Sequence, residues 1–146
     1  MVLLSGCEGE HPANLGIANG QFAPCPDSPN CVSSQSKDEA HMIEPLPYVG
    51  SVDSARQVLV KLIESMPRTK IVTQTEAYVH VEFTITVMRF VDDVEFGFDD
   101  TNKIIHVRSA SRVGYWDFRV NRRRVEKIRN LWQQKFTAES HGNDID

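Results

Sequence analysis

The chain holds no uninterrupted apolar run of the roughly 18 residues that a membrane-spanning helix requires, so attachment to a bilayer has to be peripheral or covalent. Basic residues are not in excess, since 16 Lys and Arg stand against 20 Asp and Glu for a net charge of −4. A protein whose main task is coating nucleic acid needs the opposite balance, because phosphate binding rests on a basic footprint. Gly-rich phosphate loops, nucleophile elbows and His-Glu-x-x-His helices are all missing, and with them the chemistries those motifs announce. There is no internal repeat and no low-complexity tract. With 8 Gly and 7 Pro among 146 residues, 40% hydrophobic and 25% charged, what remains has the composition of one packed globular domain.

Cysteine is scarce, and its three positions divide into one and two. Leu4-Ser5-Gly6-Cys7 resembles the lipobox at which a bacterial signal peptidase cuts before a diacylglyceryl-cysteine. Only Val2, Leu3 and Leu4 stand for the apolar stretch, so residues 1–7 read as the remnant of a lipoprotein signal with Cys7 as the acylated position. Cys25 and Cys31 then form an even pair across Pro26-Asp27-Ser28-Pro29-Asn30. That spacing lacks Cys-x-x-Cys geometry and has no second pair nearby, so a disulfide in an oxidising compartment is expected and a metal site is not. Closing so short a loop is worth about 2–3 kcal/mol through chain entropy. Its use is to fix local shape.

Residues 8–50 are dense in Pro, Gly, Ser and Asn without helical or strand period, which reads as an extended loop segment wrapping the domain. Ala55, Val58, Leu59, Leu62, Ile63 and Met66 recur at three- and four-residue steps and predict a helix over 52–66, capped by Ser51 or Asp53 and stopped by Pro67. Four runs rich in β-branched and aromatic residues, 70–75, 78–87, 91–98 and 103–109, predict strands, with Asp99-Asp100-Thr101-Asn102 as a hairpin turn. Connections this short require antiparallel pairing. A second amphipathic helix over 121–136 gathers Val125, Ile128, Trp132 and Phe136 on one face. The expected fold class is therefore α+β, a single domain in which a four-stranded antiparallel meander sheet is packed by two helices on one face. Its core, 51–138, runs α-ββββ-α after the long N-terminal loop, and 139–146 form a flexible tail.

Strand alternation sends Val79, Val81, Phe83, Ile85 and Val87 to the helix side and collects His80, Glu82, Asp93, Glu95, His106 and Arg108 on the other. One expectation for that polar face is an ordinary solvated surface, the other a cation-binding or acid–base site with the N-terminal loop as lid. Metal ligation by His80, Glu82 and His106 lacks a tight ligand motif, and no cofactor is implied. A second cluster, Arg108-Ser109-Ala110-Ser111-Arg112-Val113-Gly114 with Arg119, Arg122 and Arg124 close in sequence, has the parts of an anion site, because guanidinium forks match carboxylate or phosphate. The same arginines could instead pair with Asp92, Asp93 and Glu95 in a structural network. A triad drawn from Ser109 or Ser111 with His80 or His106 would have to be assembled by the fold.

Several blocks resemble the bacterial and plant family known as domain of unknown function 1499. They are Leu15-Gly16, Ala23-Pro24-Cys25-Pro26, Ser28-Pro29-Asn30-Cys31-Val32-Ser33-Ser34-Gln35, Ile43-Glu44-Pro45-Leu46, Phe90-Val91-Asp92-Asp93-Val94-Glu95-Phe96, the Arg108–Gly114 run and Asn121-Arg122. The resemblance covers residues 15 to about 128 and implies a shared fold, often in an envelope or organelle setting, without an established activity. Where the pattern has Asp-Leu-Gly-Val-Asn, this chain has Asp117-Phe118-Arg119-Val120-Asn121, and the bulky Arg119 bears on any close backbone approach to a ligand there.

Three functional classes follow. The first is a lipid-anchored, periplasm-facing module of the bacterial envelope that binds an anionic small molecule or envelope protein through Arg108, Ser109, Ser111, Arg112 and Arg122, with Asp92, Asp93 and Glu95 orienting them. The second is an envelope hydrolase using His80, Glu82 or Asp93 in a polar pocket under the Cys25–Cys31 loop. The third is a structural or assembly protein, marked by an exposed apolar patch.

Overall fold

The computed structural model describes residues 11–142. Its elements run β1 (Cys31–Ser33), β2 (Leu46–Pro47), α1 (Val52–Glu64), β3 (Thr69–Gln74), β4 (Tyr78–Thr84), β5 (Val91–Asp99), β6 (Ile104–Ser111) and α2 (Val120–Gly142). Helix α1 starts where Ser51, in extended backbone, accepts from the Ser54 amide (3.1 Å), and it stops at Ser65, just ahead of Pro67. Helix α2 starts above Asp117, whose two carboxylate oxygens accept from the amides of Arg119 (2.8 Å) and Asn121 (3.1 Å). It continues to Gly142, past the Phe136 end expected from the apolar spacing.

The sheet has six strands rather than four, in the order β1-β6-β5-β4-β3 with β2 also on β6, and these strand pairs are antiparallel. The added strands come from the stretch that reads as loop. Three and two residues are too few to display alternation, and Pro47 fits only an edge. Both lie along the outer edge of β6, Cys31 opposite Ala110 and Leu46 opposite Ile105.

Val79, Val81, Phe83, Val94, Phe96, Ile105 and Val107 point to one side and pack with Leu59, Leu62 and Ile63 of α1 and Val125, Ile128 and Trp132 of α2. Trp132 is enclosed there, and its indole N–H donates to the Pro47 carbonyl (2.8 Å), which ties α2 to the edge strand β2. The expected alternation fails beyond Thr84. Thr84 opposite Val91 is the last β4–β5 pair, and Ile85 N donates to Phe90 O (2.8 Å) to close a turn. Val87, expected on the core side, is therefore 87% exposed.

The other side of the sheet is not a solvated face. Residues 11–30 cross it as a strap: Gly16 N donates to Glu95, the His11 ring stands edge-on to His80, and Ile17 and Phe22 close over Gly97. The Cys25–Cys31 disulfide joins this strap to β1. Cys7 lies outside the described residues. Among the described residues no helix is long and apolar enough to cross a membrane.

Candidate functional site

Beneath the strap, alternation on β4, β5 and β6 brings Tyr78, His80, Glu82, Asp93, Glu95 and Arg108 together, because Glu95 sits opposite both His80 and Arg108 and Asp93 opposite Glu82. Glu95 is fully buried and accepts three hydrogen bonds: from Gly16 N (2.7 Å) and Tyr78 Oη (2.7 Å) on Oε1, and from Arg108 Nη1 (3.2 Å) on Oε2. Burial, reinforced by the bond to Glu95, pushes the Tyr78 phenol well above its ordinary value, so it serves as a donor.

Asp93 is the second node. Arg112 grips it with Nε on Oδ2 (2.7 Å) and Nη2 on Oδ1 (2.8 Å), while His80 Nε2 lies 2.7 Å from Oδ1. Burial alone would raise the Asp93 carboxyl, but the bonds from Arg112 and His80 outweigh it and hold the group below the usual carboxylate range. Arg112 also reaches Glu82 Oε1 at 3.4 Å, so this guanidinium is committed to two acids.

A cleft of about 450 Å³ opens between strap and sheet, walled by Pro12, Leu15, Pro24 and Pro26 and floored by Asp93, Arg108 and Arg112. Arg108 is buried to 4% exposure, yet its Nε–H has no hydrogen-bond partner. A charged donor left unmatched in the interior costs about 1–3 kcal/mol or more unless something fills it. That makes Arg108 the unsaturated group of the site.

The expected Arg/Ser cluster is not one site. Ser109, Ser111 and Asp92 sit at alternate positions from Arg108 and Asp93 and so face the helices, with Ser111, at the strand end, also bordering the cleft. There Asn121, fully buried, accepts from Ser109 Oγ (2.6 Å) and Arg124 Nη1 (2.8 Å) and donates to Asn30 O (3.2 Å), Ser111 Oγ (2.8 Å) and Asp117 Oδ2 (2.9 Å). Asp92 pairs with Arg124, and burial pushes its carboxyl up against that pull. Arg122 is elsewhere again, donating to the carbonyls of Met42 (2.9 Å) and Ala40 (3.1 Å). The alternation that separates the two faces also removes any triad of Ser109 or Ser111 with His80.

His106 does not join His80 and Glu82. Its Nδ1 lies 3.2 Å from Ser34 Oγ and its Nε2 3.9 Å from Asp99, and burial lowers its affinity for a proton. Among the described residues no group of three His, Cys, Asp or Glu side chains is placed to hold a metal ion. Arg124, expected to add to the positive neighbourhood of the cluster, pairs with Asp92 instead, and Tyr78 and Asn121 are the participants that sequence reasoning left without a role. Tyr78 stands in the same alternation as His80, and Asn121 in the Asn-Arg block, so each signal was present but unassigned.

The blocks that carry the resemblance now have structural roles. Asn30 Nδ2 donates to Gly114 O (2.6 Å), Gln35 bridges Phe22 N (2.8 Å) and Gly20 O (2.7 Å), and Ser28 O lies 2.9 Å from His41 Nε2, so strap and sheet edge are fastened by them. A family model described as protein of unknown function (DUF1499) matches residues 21–131, from the strap to the middle of α2. Among curated proteins none matches the chain.

Proposed function

Since the chain belongs to the DUF1499 family of proteins of unknown function, its role has to be read from its own side chains, and we propose that it is a binding module whose strap-covered cleft takes a small carboxylate on Arg108. The observation that carries this is the unpartnered Nε–H of a buried arginine lining a cleft of small-molecule size. Arg112 adds positive potential but little free valence, because Asp93 and Glu82 already hold it. Charge decides the class of anion. Glu82, Asp93 and Glu95 outnumber the two guanidiniums, and their repulsion weighs more heavily on a dianion such as phosphate than on a single carboxylate. The proline and leucine wall suits an apolar tail behind it.

Calorimetric titration with butanoate, hexanoate and octanoate, with inorganic phosphate alongside, tests the reading. Arg108→Lys keeps a cation against Glu95 but has no Nε–H, and a loss of roughly tenfold in carboxylate affinity is expected from one charge-assisted hydrogen bond. Unchanged affinity in that variant, or preference for phosphate, refutes it.

The setting we propose is the bacterial cell envelope, with Cys7 acylated and the domain facing the periplasm. The Cys25–Cys31 disulfide supports an oxidising compartment. The intact mass of the protein expressed with a full signal reports the acyl group and the closed disulfide together. The rival reading, an envelope hydrolase with His80 as base and Asp93 orienting it, draws on the 2.7 Å pair between them. Arg112 occupies both Asp93 oxygens and the strap covers the pair, which favours binding over turnover. Ester hydrolysis abolished by His80→Ala would reverse that preference.

A further inference from the structure

Nine large hydrophobic side chains are exposed among the described residues, and five of them, Val87, Met88, Tyr115, Trp116 and Phe118, lie on two loops at one end of the sheet. The loops, 85–90 and 112–119, are neighbours because Asp92 pairs with Ser111 and Arg112 N donates to Val91 O (3.3 Å). Trp116 is 71% exposed and Phe118 83%, so neither contributes to the core. Exposed apolar groups gathered in this way mark a surface that meets another phase or molecule.

The same end is cationic in a chain of net charge −4. Arg68, Arg89, Arg119, Arg123 and Lys127 are all exposed there, and none is in an ion pair with the described residues. The two loops contain one acid, Asp117, whose oxygens are taken by the amides that open α2. Beside the 85–90 loop, between residues 66–68, the end of β4 and the start of α2, lies a cleft of about 310 Å³ in which Arg68, Arg123, Arg124 and Lys127 surround Phe83 and Ile85. Arg124 is held by Asp92, which leaves three cations at the rim outside any ion pair among the described residues, Arg123 donating through Nη1 to Phe118 O (2.6 Å).

We propose that this end docks on an anionic phospholipid bilayer, with Val87, Met88, Trp116 and Phe118 entering the interface and a lipid phosphate seated among Arg68, Arg123 and Lys127. Amphipathic Trp and Tyr rings rest at headgroup level, and long cationic side chains bury their stems while keeping their charge among phosphates. A second copy of the chain is the poorer occupant, because a two-fold contact here sets the five cations against their own copies. The inference is independent of the carboxylate cleft and of acylation.

The test uses the full chain carrying Cys7→Ser, mixed with vesicles of phosphatidylglycerol in phosphatidylcholine and of phosphatidylcholine alone. Co-sedimentation with the anionic vesicles is expected, weakening as salt rises. Trp132 is 1% exposed and Trp116 71%, so a blue shift in tryptophan emission on binding reports Trp116 entering the interface. Arg123→Glu with Lys127→Glu should lower partitioning roughly twentyfold or more, at about fivefold per cation lost. Trp116→Ser with Phe118→Ser should abolish the shift. Failure to sediment with anionic vesicles, or binding that either pair of substitutions leaves intact, overturns the proposal. Self-association through this patch without vesicle binding would assign it to a second copy and overturn it equally.

Discussion

Replacing Glu95 by Gln tests the buried network at the point where strap, sheet and arginine meet. The amide keeps one oxygen, so it can still accept from Gly16 N and Tyr78 Oη, both now at 2.7 Å. What it loses is the charge opposite Arg108, whose side chain is 5% exposed and whose ion pair with Glu95 spans 3.2 Å. Removing one partner of a buried pair costs about 3–5 kcal/mol, because the other charge is left uncompensated. Since two of the three hydrogen bonds to Glu95 survive, a loss near the lower figure, about 3 kcal/mol, is expected. In a domain of this size that lowers the melting temperature by roughly 10 °C. Urea unfolding followed by far-UV circular dichroism measures it. Adding Arg108→Met to Glu95→Gln removes both charges while the amide oxygen still accepts from Gly16 N and Tyr78 Oη, so it should recover most of the loss and give a clear coupling energy in the cycle. A loss under about 1 kcal/mol for Glu95→Gln, or additivity in the cycle, would mean that water already compensates Arg108 and that the network is not dry.

Gly97→Ala places a methyl 2.3 Å from Ile17 Cδ1 and 3.4 Å from Phe22 Cζ; overpacking of this kind costs about 1–2 kcal/mol, and limited proteolysis should cut within 11–30 faster, an effect that Ile17→Ala in the same chain reverses. Asp93 has a folded-state pKa below its unfolded one, so its contribution is present above about pH 4 and is lost as pH falls through the folded value. The stability difference between the wild type and Asp93→Asn should therefore shrink in denaturation curves taken below that pH, and a constant difference would contradict the pairing with Arg112 and His80. Arg119 stands at φ 63° and Phe118 at φ 51°, left-handed conformations that favour glycine. Arg119→Gly should stabilise the domain by about 0.5–1 kcal/mol in the same urea assay, and a destabilised variant would show that the turn is unstrained.

What could be read in advance was whatever had a period. The α1 stripe, the four longer strands, the inward set Val79, Val81 and Phe83 and the polar set opposite them all follow from spacings of two or about four residues. The strap could be named as a segment but not placed, because its fastenings are single polar atoms such as Gly16 N and Gln35, which leave no pattern. The Arg/Ser cluster divides for a related reason, its arginines pairing with Asp92, Asp93 and Glu95 as the network alternative expects. Contiguity in sequence put Arg108 beside Ser109, whereas the pleat sends them to opposite faces, one to Glu95 and the other to Asn121. Arg119 in place of the family glycine was visible in the sequence, and its positive φ accounts for what the pattern prefers there.

The buried acids and arginines also bear on why the face is built this way. Had stability been the sole constraint, apolar residues of similar volume beneath the strap would do as well or better, since desolvating three carboxylates and two guanidiniums costs several kcal/mol per ion before pairing repays it. Hydrogen bonds, unlike apolar contacts, have direction. Glu95 fixes the Gly16 amide at one position, and Gln35 fixes Phe22 N and Gly20 O at another, so the strap sits in one register over the sheet. A geometry held that tightly around one unsatisfied donor is what a selective site requires. The Glu95→Gln, Arg108→Met chain separates the two purposes: if it folds with near-wild-type stability yet takes up no carboxylate, the charges serve recognition rather than the fold.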